Sequence, residues 1–186
     1  MIRRRHVLAA LGSALVAPAA AQQPTMTRVT AYAFSFAALD GGQIRLMEYS
    51  GKPILIVNTA SRCGYTPQYA GLQELWTRFR DRGLLVLGVP SNDFGGQEPG
   101  GSDEIIATAQ HTYGVTFPLA AKVQVKGPDV HPFYKWTAFE RPFELPSWNF
   151  HKYLIGRDGR IAATFPSAVE PGDPRLIAAI TRELGS

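Results

Sequence analysis

Two continuous apolar runs limit the folds that this chain can adopt. The first covers Ile54–Asn58 and the second covers Leu84–Val89. Neither run alternates with polar residues, which is typical of central strands in a parallel sheet that is covered on both faces. Between them, apolar residues recur at spacings of three and four: Tyr69, Leu72, Leu75, Trp76 and Phe79. This spacing predicts a helix over Pro67–Arg82 and, with the two strands, a βαβ unit.

The remaining elements follow from periodicity and turn residues. In chain order, the sequence predicts a β-hairpin over Tyr32–Met47, a helix from the N-cap Ser102 to Tyr113, extended segments over Val115–Val125, a short helix over His131–Phe139, a hairpin joining Tyr153–Ile155 to Ile161–Phe165, and a helix over Pro174–Leu184. This order predicts one α/β domain, with a mixed central sheet flanked by helices and an N-terminal β-hairpin. It is compatible with a thioredoxin-like fold.

The N-terminal 21 residues have the pattern of an export signal. A basic cluster at Arg3–Arg5 precedes the apolar run Val7–Val16, and the small-residue stretch Pro18–Ala21 precedes Gln22. The arginines also resemble a twin-arginine signal. The alternative is a membrane anchor, but a spanning helix needs about 20 apolar residues. We therefore expect a signal peptide that is cleaved, a mature domain over 22–186 without stable membrane insertion, and a location in a bacterial periplasm.

The charge balance argues against a nucleic-acid partner. The chain has 19 Lys and Arg residues and 15 Asp and Glu residues, and three of the arginines lie in the leader. The remaining chain is nearly neutral, whereas nucleic-acid binding needs a clustered basic face on the folded domain. A hydrophobic fraction of 45% is typical of a globular domain with a full apolar core.

Cys63 is the only cysteine of the chain, so it cannot form an internal disulfide. It lies between the first predicted strand and the helix that begins near Pro67, on a polar turn where α/β sheets place their sites. Backbone N–H groups at a helix start favour the thiolate, which is the nucleophilic form of cysteine. The alternative is a buried structural cysteine that acts as a small apolar residue. The polar turn favours the reactive interpretation.

Four segments of the chain resemble the glutathione peroxidase family. They are Leu55–Tyr69 with Ser61-Arg62-Cys63-Gly64-Tyr65-Thr66-Pro67, Leu87–Gly100 with Gly95-Gly96-Gln97-Glu98-Pro99, Tyr113–Pro118, and Trp148–Leu154 with Trp148-Asn149-Phe150. The segments occur in the family's order, and the resemblance covers about residues 31–185. It implies a thioredoxin-like fold and the reduction of hydroperoxides by a peroxidatic cysteine.

By this resemblance, Cys63 is the peroxidatic residue, with Gln97, Trp148 and Asn149 as its catalytic partners. A thiolate attacks one peroxide oxygen, and the departing oxygen needs hydrogen bonds and a proton. The two carboxamides and the indole are donors of the right kind, but none of them is a base. Taken singly, each has an ordinary alternative as core filling, loop residue or turn former. Four further residues are expected to shape the pocket: Asn58, Tyr65, Thr66 and Phe94.

No cofactor or metal is predicted. His111, His131 and His151 lack the spacing of metal ligands, and one cysteine with scattered histidines is a poor zinc or copper site. The expected partners are a hydroperoxide substrate and an external thiol, which serves as the reducing co-substrate.

The chain departs from the family at the resolving cysteine that many thiol-type members carry. The corresponding place, on the helix after the Gln97 loop, is Ala109. A sulfenic acid on Cys63 would then react with an outside thiol, either glutathione or another low-molecular-weight thiol, or a protein thiol. Ser91 and Asp93 also replace the family's commoner Cys and Gln. If Asp93 pointed into the pocket, its charge would oppose thiolate formation.

The sequence therefore predicts a thiol-dependent peroxidase that reduces hydrogen peroxide or organic hydroperoxides through a cysteine sulfenic acid. Two alternatives stay open. Thiol-disulfide exchange would need a Cys-x-x-Cys motif, but Thr66 occupies the place of the second thiol. A non-enzymatic thiol redox sensor or binding module of the same fold would be oxidised once and pass its oxidation to a partner. The oligomeric state is left open.

Overall fold

The computed structural model describes residues 28–185. The predicted leader, residues 1–21, lies outside the described residues. Within them, no helix has both the length and the apolar character needed to cross a membrane.

A four-stranded mixed sheet forms the centre of the domain. Its strands are β3 (Ile54–Thr59), β4 (Leu85–Pro90), β5 (Lys152–Ile155) and β6 (Ile161–Phe165), in the order β4-β3-β5-β6. β3 pairs parallel with β4 and antiparallel with β5, and β5 and β6 form the predicted hairpin. Every residue of β3 and β4 is buried, as the continuous apolar runs predict.

The N-terminal hairpin is a separate two-stranded sheet of β1 (Ser35–Ala37) and β2 (Gln43–Arg45). The predicted extended region after Tyr113 joins this hairpin to the main sheet through isolated bridges, with Leu119 beside Gly88 and Ala120 beside Ala38. A Cβ atom on Gly88 would lie 2.5 Å from the Leu119 side chain, so this close approach requires glycine.

Within residues 28–185, four α-helices flank the sheet. They are α1 (Gln68–Phe79), α2 (Ser102–Ile106), which continues as a π-helical turn over Ala107–Thr112, α3 (Pro132–Glu140) and α4 (Pro174–Leu184). The prediction of Ser102 as an N-cap is wrong, because Gly101 has the extended cap conformation and Ser102 is the first helical residue. The predicted helix after Pro67 is shorter than expected, because its last turn is 3₁₀ and ends at Gly83, whose φ is 105°.

The core has two layers, one on each face of the sheet. Side chains of α1, α2 and α4 form one apolar cluster, and side chains of α3 and the N-terminal hairpin form the other. This is the predicted α/β arrangement of the thioredoxin-like fold. Cys63 lies just beyond the carboxyl end of β3, where polar loops gather above the first cluster.

Candidate active site

The loop that carries Cys63 is fixed by Thr66. The Thr66 hydroxyl accepts a hydrogen bond from Cys63 N at 3.0 Å and donates one to Ala60 O at 2.9 Å. Thr66 N in turn donates to Cys63 O at 3.0 Å. These bonds form a tight turn between β3 and α1, so the cysteine cannot shift along the loop without breaking them.

The sulfur of Cys63 accepts a hydrogen bond from an amide in the turn that precedes α1. Tyr65 N lies 3.4 Å from Cys63 Sγ, which is within the range for a bond to sulfur. An N–H directed at sulfur stabilises a thiolate more than a thiol. The residue as a whole is buried, with 7% of its surface exposed.

The Gln97 loop packs directly against the cysteine loop. Arg62 N donates a hydrogen bond to Gln97 O at 3.0 Å, which joins the residue before Cys63 to the residue predicted as its partner. Gly95 lies beneath Trp148, because a Cβ atom there would be 3.1 Å from the indole ring and 3.5 Å from the Gln97 side chain. Gly95 also has a φ of 70°, so its backbone conformation favours glycine and its surroundings leave little room for a side chain.

Asn58, at the end of β3, holds the Trp148 turn. Its side-chain Nδ2 donates to Trp148 O at 3.1 Å, and its backbone oxygen accepts from Phe150 N at 2.6 Å. Phe150 has a φ of 65°, which is rare for a residue with a side chain and costs roughly 1–3 kcal/mol. Burial of its ring against Tyr69, with centroids 5.4 Å apart, offsets this strain. The turn thus has one defined shape, set by β3.

The carboxamides of Gln97 and Asn149 are in direct contact. Asn149 Nδ2 donates to Gln97 Oε1 at 2.9 Å and to Phe94 O at 3.3 Å, so both of its N–H groups are engaged. Among residues 28–185, neither Gln97 Nε2 nor the indole N–H of Trp148 has a protein acceptor. Asn149 is fully buried, whereas Trp148 is 39% exposed. The side-chain donors left without a protein acceptor in this part of the chain are therefore those of Gln97 and Trp148, and the hydrogen bond from Asn149 orients the first of them.

The other predicted pocket residues lie around this centre. Phe94 contacts Trp148, with ring centroids 6.3 Å apart, and Tyr65 lies beside Cys63. Asp93 turns away, because its carboxylate accepts hydrogen bonds from the backbone amides of Val125 and Lys126. The carboxylate of Asp93 therefore does not point into the pocket, which was the condition under which its charge would oppose thiolate formation.

Ala109 is fully buried in the apolar cluster that contains Cys63. No second cysteine is present there or anywhere else in the sequence. In the part of the chain that the structure describes, no three His, Cys, Asp or Glu side chains could together hold a metal ion.

Two buried charged residues near the site were missed from the sequence. Lys152 is fully buried, and its Nζ donates to Gln68 Oε1 and to Val169 O, each at 2.6 Å. Burial lowers the pKa of this ammonium to about 8. The signal that could have revealed Lys152 is its place in a strand whose other residues are apolar or aromatic.

Glu98 is the second buried charged residue. Its side chain is fully enclosed beside Ser61, and neither carboxylate oxygen has a partner with hydrogen-bond geometry among the described residues. Burial raises the pKa of this carboxyl above its ordinary value.

The sheet order and the flanking helices define a class of protein, the proteins of thioredoxin-like fold. Comparison of structures agrees with this class. The crystal structure of Trgpx in its apo form aligns with a TM-score of 0.68 and 33% identity, over 84% of this chain and 97% of that one.

Sequence comparisons define the family within this class. The glutathione peroxidase family profile matches residues 31–138. A hydroperoxy fatty acid reductase of Synechocystis sp. is 49% identical over 153 residues, which cover 77% of this chain and 90% of the relative. A glutathione peroxidase-like peroxiredoxin of Chlamydomonas reinhardtii is 43% identical over 143 residues, which cover 75% of this chain and 88% of the relative. The chain belongs to the glutathione peroxidase family and is an enzyme that acts on peroxides.

Proposed function

We propose that Cys63 is the peroxidatic residue of a thiol-dependent peroxidase and that one cysteine carries the whole cycle. In the first step the Cys63 thiolate attacks the terminal oxygen of a hydroperoxide, ROOH. The O–O bond breaks, sulfur is oxidised to the sulfenic acid, and the substrate leaves as an alkoxide that takes up one proton to become the alcohol. With hydrogen peroxide the second product is water.

Two donors stabilise the departing oxygen in this proposal. Gln97 Nε2 and the Trp148 indole N–H have no protein acceptor among the described residues. The side chains of both residues flank Gly95, on the loop that contacts the cysteine loop. Donors fixed before the reaction stabilise developing negative charge without reorganisation. Asn149 acts through Gln97, because its hydrogen bond holds Oε1 and so directs Nε2 toward the pocket.

An external thiol completes the cycle. The thiol RSH attacks the sulfenic acid, so that a mixed disulfide forms on Cys63 and water leaves. A second thiol then attacks the mixed disulfide, which releases RSSR and restores the Cys63 thiolate. Internal resolution is excluded by composition, since the chain has one cysteine.

The substrates are hydrogen peroxide or organic hydroperoxides. The name of the Synechocystis sp. relative, a hydroperoxy fatty acid reductase, supports the organic class. The 39% exposure of Trp148 supports it as well, because an apolar ring at the mouth of the site can contact a hydrocarbon chain.

The observation that carries the proposal is the Tyr65 amide directed at Cys63 Sγ at 3.4 Å, beside the contact between the two loops. The test is peroxide consumption by the purified protein with supplied thiol, together with intact mass spectrometry of Cys63. Wild type should turn over repeatedly and gain one oxygen when the thiol is withheld, and Cys63→Ser should do neither. Turnover in the serine variant would defeat the proposal, and a single oxidation without turnover under any thiol would favour a redox sensor.

We further propose that the enzyme works in a bacterial periplasm in the response to oxidative stress, with residues 1–21 removed as a signal peptide. Support comes from the leader pattern of the sequence. The test is N-terminal analysis of protein recovered from the periplasm of expressing cells. A mature terminus near Gln22 is expected, and an uncleaved protein retained in the cytoplasm would contradict the proposal.

A further inference from the structure

We propose that an apolar groove along α3 holds the apolar run of the leader, Val7–Val16, in the full chain before the leader is removed. The groove has a volume of about 720 Å³ and lies beside the apolar cluster on the face of the sheet opposite Cys63. The inference goes beyond the proposed peroxidase function, and it rests on the proposed signal peptide only for its meaning in the cell.

The groove is built from one face of α3 and from residues near the start of the described chain. Pro132, Trp136 and Phe139 are spaced four and three residues apart, so they share one face of the helix. Phe139 is 81% exposed. A large apolar patch in this state marks a surface that another apolar group covers. The other apolar residues that line the groove are Val29, Phe34 and Val130.

The polar groups of the groove favour an apolar occupant. The indole N–H of Trp136 donates to Val29 O at 3.3 Å, so this donor is already engaged. On the rim, Arg28 and Glu140 form an ion pair with a separation of 3.7 Å. A polar ligand needs directed hydrogen bonds from its site, whereas an apolar segment is stabilised by burial alone.

The leader is an apolar segment that can reach this groove. The described chain begins at Arg28, which itself lines the groove. Residues 17–27 connect Arg28 to the run Val7–Val16, and these 11 residues can span up to about 36 Å when extended. Since α3 has nine residues and is about 14 Å long, the connection is long enough for the run to fold back along it.

The leucines of the leader have the spacing that a helix groove binds. Leu8, Leu11 and Leu15 recur at spacings of three and four, so they would share one face of a helix, with Ala10 and Ser13 on the other. Amphipathic helices bind apolar grooves through anchors at this spacing. The groove would thus keep the leucines out of water until the export machinery or the membrane competes for them.

Disulfide trapping in the full chain tests this contact. Cys63→Ser removes the only cysteine, and Gly12→Cys with Lys135→Cys then places one thiol in the leader and one on the groove rim. Diamide takes two electrons and two protons from the two thiols and leaves a disulfide. The intramolecular bond should form at least about tenfold faster than in a control pair, because docking raises the effective concentration of the thiols. Non-reducing electrophoresis and intact mass follow the reaction.

The control pair is Gly12→Cys with Ala178→Cys in the same Cys63→Ser chain. Position 178 is exposed on α4, which packs on the other face of the sheet from α3. Equal rates in the two proteins would overturn the proposal. A disulfide-linked dimer through Lys135→Cys, in place of the intramolecular bond, would also overturn it and would favour a second copy of the chain as the occupant.

Vesicle binding tests whether docking hides the leader from a membrane. Phe139→Ser removes an exposed ring of the groove, and Phe143→Ser, at a position that is 97% exposed and does not line the groove, is the matched control. The probe is a vesicle of phosphatidylglycerol and phosphatidylethanolamine. The partition coefficient of the full chain should rise about tenfold in Phe139→Ser only, since this variant lacks an aromatic anchor for the leader.

The other outcomes of vesicle binding contradict the proposal. No change in Phe139→Ser, or an equal rise in both variants, would show that the groove does not hold the leader. A fall in Phe139→Ser would show that the lipid itself occupies the groove. Neither measurement uses the peroxidase reaction or leader cleavage, so failure of Cys63 to react with peroxide would refute the proposed function alone.

Discussion

Asn149 donates a hydrogen bond to the side-chain oxygen of Gln97 across 2.9 Å, from a position with no exposed surface. A carboxamide has an acceptor end and a donor end, so fixing one end fixes the other. Asn149 thus determines which atoms of Gln97 face the pocket. The two residues act as one unit, although 51 residues separate them in the chain.

Asn149→Asp should disable this unit. A carboxylate at position 149 cannot donate to Gln97 Oε1, so Gln97 would turn its nitrogen toward residue 149 and its oxygen toward the pocket. We expect the rate of Cys63 oxidation by peroxide to fall about 10²-fold, the usual effect of losing one fixed donor. The rate is measured by stopped flow under single-turnover conditions.

Asn92→Asp is the matched control for this change. Asn92 lies on the same loop, and its Oδ1 accepts from Glu98 N, a role that a carboxylate retains. Peroxide should oxidise Cys63 of this control variant at the wild-type rate. A comparable loss in both variants would show that added negative charge, and not the orientation of Gln97, lowers the rate.

Thr66→Val should loosen the cysteine loop. The substitution keeps the shape of the side chain but leaves Cys63 N and Ala60 O without their buried partner. The free energy of unfolding should fall by about 1–3 kcal/mol, measured by urea denaturation. The control Thr77→Val, at an exposed position on α1, should change the free energy of unfolding by less than about 0.5 kcal/mol. Equal effects would mean that the Thr66 bonds add nothing.

Lys152 should make the protein more stable at alkaline pH. Its pKa is about 8 in the folded protein and near 10.5 in an unfolded chain. The unfolded state therefore binds more protons between these values, so stability rises with pH across this window and the gain is lost as pH falls through 8. Across the whole window, the free energy of unfolding should rise by about 3 kcal/mol.

The Lys152 contribution is isolated by urea denaturation of Lys152→Met at several pH values. The rise in the free energy of unfolding between pH 8 and 10.5 should be smaller in this variant than in the wild type. Lys135→Met, at an exposed position on α3, should follow the wild-type curve. If all three curves run parallel, Lys152 does not titrate within the folded protein as described.

His151 should contribute to acid sensitivity. Burial, and then the charge of Lys152, lower its pKa from 6.5 to about 4. Its stabilising contribution is therefore present above pH 6.5 and is lost as pH falls through 4. In His151→Gln, the loss of stability over this range should be smaller, as followed by circular dichroism. The exposed His111→Gln should behave like the wild type, and any matching change there would point to a general charge effect.

Local patterns predicted most of the fold because each depends on neighbouring residues. The apolar runs of β3 and β4 and the spacing along α1 correspond directly to buried strands and a packed helix face. The cap of α2 was assigned one residue late, because Gly101 and Ser102 are both acceptable cap residues and the sequence does not show which one leaves the helix. Family motifs indicated Cys63, Gln97, Trp148 and Asn149, but not how they divide the work.

The sequence by itself determined that one thiol lies at a strand-to-helix turn and that no second cysteine can resolve it, because both facts concern composition and local order. The tertiary structure alone decided that Asn149 uses its donors on Gln97 and Phe94, that Asp93 faces the 125–126 backbone, and that the buried Lys152 donates to Gln68 and Val169. Hydrogen bonds between side chains distant in the chain depend on how loops are brought together. No local pattern encodes their direction.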